Sequence, residues 1–339
     1  MQVGLIGYGY WGKLLAKAIA DDQRVGGLYI VSNQPDLNRE IQPILDETGK
    51  TCQIVTAEKL RTLHLDGVIV AAPEDTHADL TLSLLEAGLA CFIEKPLALT
   101  LSEASNIIAT ARRHNLTVHV DQVFSFDQQF AQLTRLVNQQ LTNITDVMIY
   151  RSAPMTRQKN VSILADTFPH DLYQLRLGFG LELTSLDEVT IKSERILDAK
   201  GIASTATLAG KLARLHPIDE NKPTAITYHG YHSWCGRSKQ RLMVLGDRVT
   251  DRWVKWTVSD LEPATIQIWA GNKLVRQEPG HIQQVSPIAQ MMSEWLTALE
   301  APRSEYMTQM ETHWSGILKD SYWLEQVLQL SIQNKHKRL

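Results

Sequence analysis

Over the first third of the chain, short apolar runs alternate with longer stretches in which apolar residues recur three and four positions apart. Residues 2–6, 27–31, 52–55, 67–71, 91–93 and 117–120 have the strand pattern. The stretches 76–87 and 101–114 have the helical one, and a further helix runs through Leu14, Leu15, Ala18 and Ile19. Strands that are apolar throughout, rather than alternating, are those buried on both faces of a parallel sheet. Repeated βα units of this kind predict a parallel sheet with helices on both sides.

The pattern changes near residue 121. Residues 147–150, 185–192, 206–209, 224–231, 241–244 and 265–269 read as strands without regular helices between them, which predicts a mainly antiparallel sheet. Helices are expected over 128–138 and 169–177, with two more, 287–299 and 308–333, closing the chain. The polar stretch 155–161 reads as a loop. The predicted fold is an α/β Rossmann domain over 1–121, followed by an α+β domain over 122–339 with a large, mainly antiparallel sheet. The terminal helices could pack back on the first domain.

Composition narrows the function classes. The chain has 339 residues, 44% hydrophobic, which is ample for two cores. A net charge of -3 gives no reason to expect nucleic acid or an anionic membrane as partner. Three cysteines, Cys52, Cys91 and Cys235, suit a reducing compartment. Residues 2–6 already read as a strand, with no signal peptide before it, and no apolar run reaches the ~18 residues of a membrane span. A cytoplasmic protein is expected.

Two local patterns carry chemistry. Gly7-Tyr8-Gly9-Tyr10-Trp11-Gly12 lies between the first strand and its helix. Glycines at this spacing make a tight turn, admit a pyrophosphate, and let helix pack on strand, with the phosphates at the helix N-terminus. The domain 1–121 is therefore read as dinucleotide-binding, with Gly7, Gly9, Tyr10, Trp11 and Gly12 as candidate cofactor residues. An acid on the ribose 2′-hydroxyl should stand ~20 residues further on. The chain has Ser32-Asn33-Gln34 there, with Asp36 only later. Nothing then repels a 2′-phosphate, which Ser32, Asn33 or Arg39 could meet, so NADP is at least as plausible as NAD. Asn33 holding the ribose hydroxyls of NAD is the other reading. The second pattern is Cys91-Phe92-Ile93-Glu94-Lys95-Pro96. A buried strand stops at Pro96, which has no backbone donor. Lys95 is thereby delivered to the carboxyl end of a sheet strand, where open α/β sheets bind ligands.

These motifs, with Ala72-Pro73-Glu74-Asp75-Thr76-His77 between them, resemble the glucose–fructose oxidoreductase and inositol dehydrogenase family across nearly the whole chain. The resemblance implies a nicotinamide cofactor and a second domain that holds the substrate and mediates oligomerisation. It implies oxidation or reduction of a secondary alcohol on a sugar, cyclitol or related ring. The family's downstream Asp-x-x-x-His is supplied by Asp166 and His170. Gly9 through Lys13, Asp166 through Leu172, Ser233-Trp234, Lys239, Arg241 and Leu245-Gly246 are similar to its nucleotide-sugar branch. Ser125 stands where many members have arginine, and Asp127-Gln128 where others have Asn-Pro, which leaves the substrate open.

Alcohol oxidation needs hydride loss from carbon and proton loss from oxygen, and the protein must take the proton. Histidine begins near the working pH, at ~6.5. A lysine beside an oxidised nicotinamide is driven toward its neutral form and can polarise the alkoxide or relay the proton. Lys95 and His170 form the candidate catalytic pair, with Asp166 orienting the imidazole or holding a substrate hydroxyl. Because Pro169 belongs in a first helical turn, Asp166 is expected at or just before a helix start. Its alternative role is a helix cap, and that of His170 is packing. Ala72, Pro73, Thr76, His77 and Glu94 are candidate cofactor neighbours, with Thr76 alternatively capping the next helix. Arg157 and Lys159 could meet a diphosphate, and Gln122 is a further substrate candidate. His229 and His232 would face opposite sides of a strand, so no metal site is expected with Cys235. The tryptophans Trp253, Trp256, Trp269, Trp295, Trp314 and Trp323 read as core or subunit interface. A homodimer or homotetramer is expected through an open sheet face. The alternative from another class is a non-catalytic dinucleotide-binding assembly protein.

Overall fold

The computed structural model describes residues 1–34, 37–154, 162–192, 205–215, 225–281 and 284–336. The chain forms two compact units, one of residues 1–126 with 285–322 and the other of 127–284 with 323–339.

The first unit alternates β1 (Gln2–Ile6), α1 (Tyr10–Asp21), β2 (Gly27–Val31), α2 (Leu37–Thr48), β3 (Thr51–Ile54), α3 (Ala57–Leu60), β4 (Gly67–Val70), α4 (His77–Glu86), β5 (Cys91–Ile93), α5 (Leu101–His114) and β6 (Val118–Val120). The six strands pair in parallel in the order β3-β2-β1-β4-β5-β6, so the order reverses between β1 and β4. That switch point is where open sheets of this kind hold ligands. The strands are apolar because both faces are covered: Val68, Ile69, Val70, Cys91 and Ile93 are all fully buried. Helix α5 shows how local sequence fixes an element. Thr100 and Glu103 make a reciprocal capping box at its start, and Asn115 closes it in the left-handed conformation.

The second unit contains α6 (Gln128–Gln140), β7 (Asp146–Pro154), α7 (Ile163–Phe179), β8 (Leu181–Lys192), β9 (Thr205–Arg214), β10 (Ile226–Ser233), β11 (Cys235–Asp247), β12 (Arg252–Ser259), β13 (Thr265–Ala270) and β14 (Lys273–Pro279). These strands form one sheet in the order β14-β13-β12-β11-β7-β10-β9-β8, antiparallel except for the pair β7–β10. Two of its strands escaped the sequence pattern. β12 carries Trp253 and Trp256, which read only as core or subunit interface, and β14 is an exposed edge with almost no apolar alternation.

The chain closes with α8 (Pro287–Glu300) and α9 (Arg303–His336). Residues 285–322 belong to the first unit, and three contacts show why. Trp295 is fully buried, with its ring 5.7 Å from Phe92 of β5. It also takes the space at Gly67, where a Cβ would come within 2.7 Å of its indole. Trp314, equally buried, donates Nε1–H to the Val118 carbonyl at 2.9 Å. Trp256 is buried in the second unit. Among the described residues no helix is long and apolar enough to cross a membrane.

Candidate functional site

The glycine turn has three different geometries at its three glycines. Gly7 has φ +95, and its N–H donates to the Val31 carbonyl at 2.9 Å. A Cβ there would lie 2.3 Å from the Ala71 carbonyl oxygen, so the turn fits only glycine, in the crevice between β1 and β4. Gly12, in α1, would put a Cβ 2.1 Å from the Gly7 carbonyl oxygen: helix and turn are in direct backbone contact. Gly9 is the opposite case, with open space where its Cβ would be. It is the N-cap of α1, with no side-chain cap, and no acid stands in the first turn. The first N–H groups of α1 thus have no capping side chain and face an opening, an arrangement that accepts an anion. Tyr10, 63% exposed, and Trp11 flank it edge to face, with ring centroids 5.8 Å apart.

At the end of β2, Ser32 is half-buried and Asn33 exposed. The Ser32 hydroxyl accepts the Gln34 N–H at 3.2 Å. Arg39 is exposed on α2, next to Glu40, which pairs with Lys13 at 2.8 Å. Asp36 lies outside the described residues.

The ends of β4, β5 and β6 bring the remaining first-unit candidates together. Pro73 is exposed, and Thr76 donates its hydroxyl back to the Pro73 carbonyl at 2.7 Å instead of capping α4. His77 is fully buried. Its Nδ1 is 2.7 Å from the Pro96 carbonyl and its Nε2 2.9 Å from that of Ala72. The ring therefore braces the loops after β4 and β5, donating to one carbonyl from whichever nitrogen carries the proton and lying close to the other. Burial pulls its pKa below the ordinary histidine value despite these two carbonyls. Glu94 and Lys95 are buried, Lys95 at 4% exposure. A lysine this enclosed at a strand end is not a solvated surface charge.

Asp121, which follows β6, is a site residue the sequence pattern did not single out. Its N–H extends the ladder to the Ile93 carbonyl at 2.8 Å, and the residue is 1% exposed. Burial pushes its pKa up to about 6, while the Val123 N–H and the charge of Lys95 pull the other way. Gln122 is buried beside it, and Ser125 is exposed in the turn that follows.

In the second unit, Ser162 caps α7, accepting the Ala165 N–H. The helix therefore begins at Ile163, and the expectation that Asp166 stands at or before its start is corrected. Asp166 lies in the first turn, and Pro169 is inside the helix. The Ser162 cap outweighs the proline, whose cost is reduced so close to the helix start. Asp166 is half-buried, and His170 is buried with Nδ1 3.1 Å from the Tyr173 hydroxyl. Next to His170, Asp171 anchors a buried polar network. It takes Arg151 Nε at 2.5 Å and the Tyr228 hydroxyl at 2.9 Å, with His232 Nε2 at 3.3 Å. Burial would raise the Asp171 carboxyl, but Arg151 and His232 outweigh it and hold it below the usual carboxylate range. Arg241 stands opposite Arg151 in the β11–β7 ladder. Burial and Arg151 bring its pKa down to about 10, and Arg241, with burial, brings Lys239 down to about 8. His229 is exposed whereas His232 is buried. Arg157 and Lys159 lie outside the described residues.

Comparison with known proteins agrees with this geometry. Residues 1–122 match the family model GFO_IDH_MocA, described as an oxidoreductase family with an NAD-binding Rossmann fold. Inositol 2-dehydrogenase 4 of Saccharopolyspora erythraea is 31% identical over 147 residues, 41% of each chain. UDP-N-acetylglucosamine 3-dehydrogenase of Acidithiobacillus ferrooxidans is 24% identical over 211 residues, 61% of this chain and 62% of that one. The chain spans between 34% and 62% of the length of the curated relatives it matches. Solved structures extend the likeness in fold to almost the whole chain. The same A. ferrooxidans dehydrogenase gives a TM-score of 0.69 at 20% identity, covering 97% of both chains. KijD10, a 3-ketoreductase of Actinomadura kijaniata solved with NADP, gives 0.73 at 16% identity over 97% of both. Over residues 1–122 the chain is thus similar to the oxidoreductase family with an NAD-binding Rossmann fold.

Proposed function

We propose that the protein is an NAD(P)-dependent oxidoreductase that interconverts a secondary alcohol and a ketone on a sugar or nucleotide sugar. The observation that carries this reading is Lys95, 4% exposed, at the carboxyl end of β5 in the sheet whose switch point holds the glycine turn. The site's residues fit a dinucleotide. Gly9 leaves an opening at the uncapped N-terminus of α1, and Gly7 and Gly12 hold that turn against β4. Gly7 through Gly12 would hold the pyrophosphate, and Ser32 and Asn33 would meet the ribose. Ser32, Asn33 and Gln34, the described residues that follow β2, carry no carboxylate, which is compatible with NADP as well as NAD. A bound nicotinamide supplies the acceptor or donor of hydride. Lys95 takes the hydroxyl proton in oxidation and returns it in reduction. His170 and Asp166 are assigned to substrate binding and proton handling by the resemblance to the family, and Gln122, Arg157 and Lys159 are separate candidates for substrate contact, the last two for a diphosphate.

A free cyclitol or sugar as substrate is the second reading, favoured by the 31% identity to an inositol 2-dehydrogenase. The outer face of the eight-stranded sheet, where Met148 is 50% exposed and Tyr150 stacks on Tyr231 at 4.8 Å, is proposed as the self-association surface of a homodimer or homotetramer. Fluorescence titration with NADH and NADPH, followed by turnover assays on UDP-sugars and cyclitols, tests the proposal. Saturable cofactor binding with turnover on one class supports it, and failure of both cofactors to bind removes it.

A further inference from the structure

Three neighbouring strand ends each present a buried titratable side chain: His77 after β4, Lys95 after β5 and Asp121 after β6. The Asp121 carboxyl has unfinished bonding. Its Oδ1 accepts the Val123 N–H at 2.9 Å, an ordinary turn contact. Its Oδ2 is buried and has no hydrogen-bond partner among the described residues. A buried carboxylate oxygen left bare is costly unless a charge or a later ligand compensates it. The backbone bond from Asp121 to the Ile93 carbonyl sets the carboxyl level with the Glu94–Lys95 segment of the adjacent strand. Among the described residues, Lys95 is the cation whose charge lowers its pKa. A carboxylate and an ammonium enclosed together favour each other's charged forms.

We propose that Asp121 is a positioning residue for Lys95, a buried carboxylate that holds the lysine ammonium at the strand ends and governs how readily it exchanges its proton. The inference rests on the reading of Lys95 as the proton-handling group. In oxidation the substrate O–H bond breaks and its proton passes to Lys95 Nζ. The ammonium so formed gains a carboxylate neighbour without a further proton transfer. Other titratable groups around the pair are accounted for. His77, from α4, has its ring nitrogens beside two backbone carbonyls; burial and the charge of Lys95 lower its pKa, and Glu74 acts on it in the other direction from the preceding turn. Glu94 precedes Lys95 in the same segment. His119, two residues earlier on β6, faces His313 of α9 at 5.8 Å, and burial lowers its pKa to about 3.

The test is carbon-13 NMR of the aspartate carboxyls in the full-length protein, with Asp121 assigned through Asp121→Asn. Its carboxyl is expected to titrate near 6 in the wild type. In Lys95→Met, or in Lys95→Gln should the first fail to fold, the midpoint should move upward because the compensating cation is gone. A midpoint unmoved in a folded Lys95 variant overturns the proposal, as does an ordinary carboxylate midpoint in the wild type. A second arm uses turnover. Asp121→Asn should lower kcat about tenfold or more with KM little changed and remove the acid limb of the pH profile, while Asp121→Glu restores part of both. A loss in KM alone would contradict the positioning role. A fully active Lys95→Met with the NMR coupling intact would instead overturn the reading of Lys95, and the two failures are thereby told apart.

Discussion

Asp121→Asn should make the first unit more stable at neutral pH, although it removes a residue placed in the functional site. Asparagine keeps an oxygen for the Val123 N–H and carries no charge, so it stands in for the protonated acid. Asp121 has an ordinary carboxyl of ~3.9 in the unfolded chain and a raised one, about 6, in the fold. The unfolded state then ionises first as pH rises, so the fold loses stability through this window. The contribution is fully present below pH ~4 and gone above about 6. A difference of about 2 units at 1.36 kcal/mol each gives about 3 kcal/mol as the most that Asn can recover at pH 7.5. That is a large fraction of a typical domain's net stability. Urea unfolding of both proteins without cofactor, followed by tryptophan fluorescence, measures the gain at pH 7.5 and again at pH 4.5, where most of it should be gone. A variant that is less stable at pH 7.5, or a gain of equal size at both pH values, would refute the argument that buried charge is the cost.

Gly9→Ala should weaken NAD(P)H binding at least about tenfold while changing stability by no more than about 1 kcal/mol, since its Cβ meets open space. Gly12→Ala should lose stability as well, by about 1–3 kcal/mol, because backbone must move; cofactor titration and thermal unfolding separate the two. Arg151→Met should cost about 3–5 kcal/mol by stranding Asp171, and Arg151→Met with Asp171→Leu should recover much of that in denaturant titrations. Trp314→Phe should cost about 1–3 kcal/mol, through the lost bond to Val118 and the void left behind, measured as a shifted unfolding midpoint.

Much of the first unit is legible in the chain because its constraints are written in residue type. Gly7 is needed for its positive φ, Gly12 for backbone contact, and Pro96 for ending a strand, so the turn and Lys95 could be found without coordinates. Asp121 could not. An aspartate after a strand reads as a solvated turn, and its burial depends on where the chain later packs. The same holds for Trp295 and Trp314, which read only as core or interface, and whose place against β5 and β6 is a matter of tertiary contact. Pro169 signals a start for α7 at that residue, but the Ser162 cap starts the helix at Ile163. β14 escaped because an exposed edge strand needs no apolar alternation. Arg151 was missed because a charged residue in an apolar strand gives no sign of the buried Asp171 that compensates it.

The central claim is that Lys95 handles the proton in a nicotinamide-dependent reaction. The most direct measurement is kcat for wild type and Lys95→Met on the substrate found among UDP-sugars and cyclitols, alongside cofactor affinity by fluorescence. The account predicts a fall in kcat of about 10²–10⁴-fold with cofactor affinity within about threefold of wild type. An unchanged kcat in a variant that still binds cofactor would contradict it.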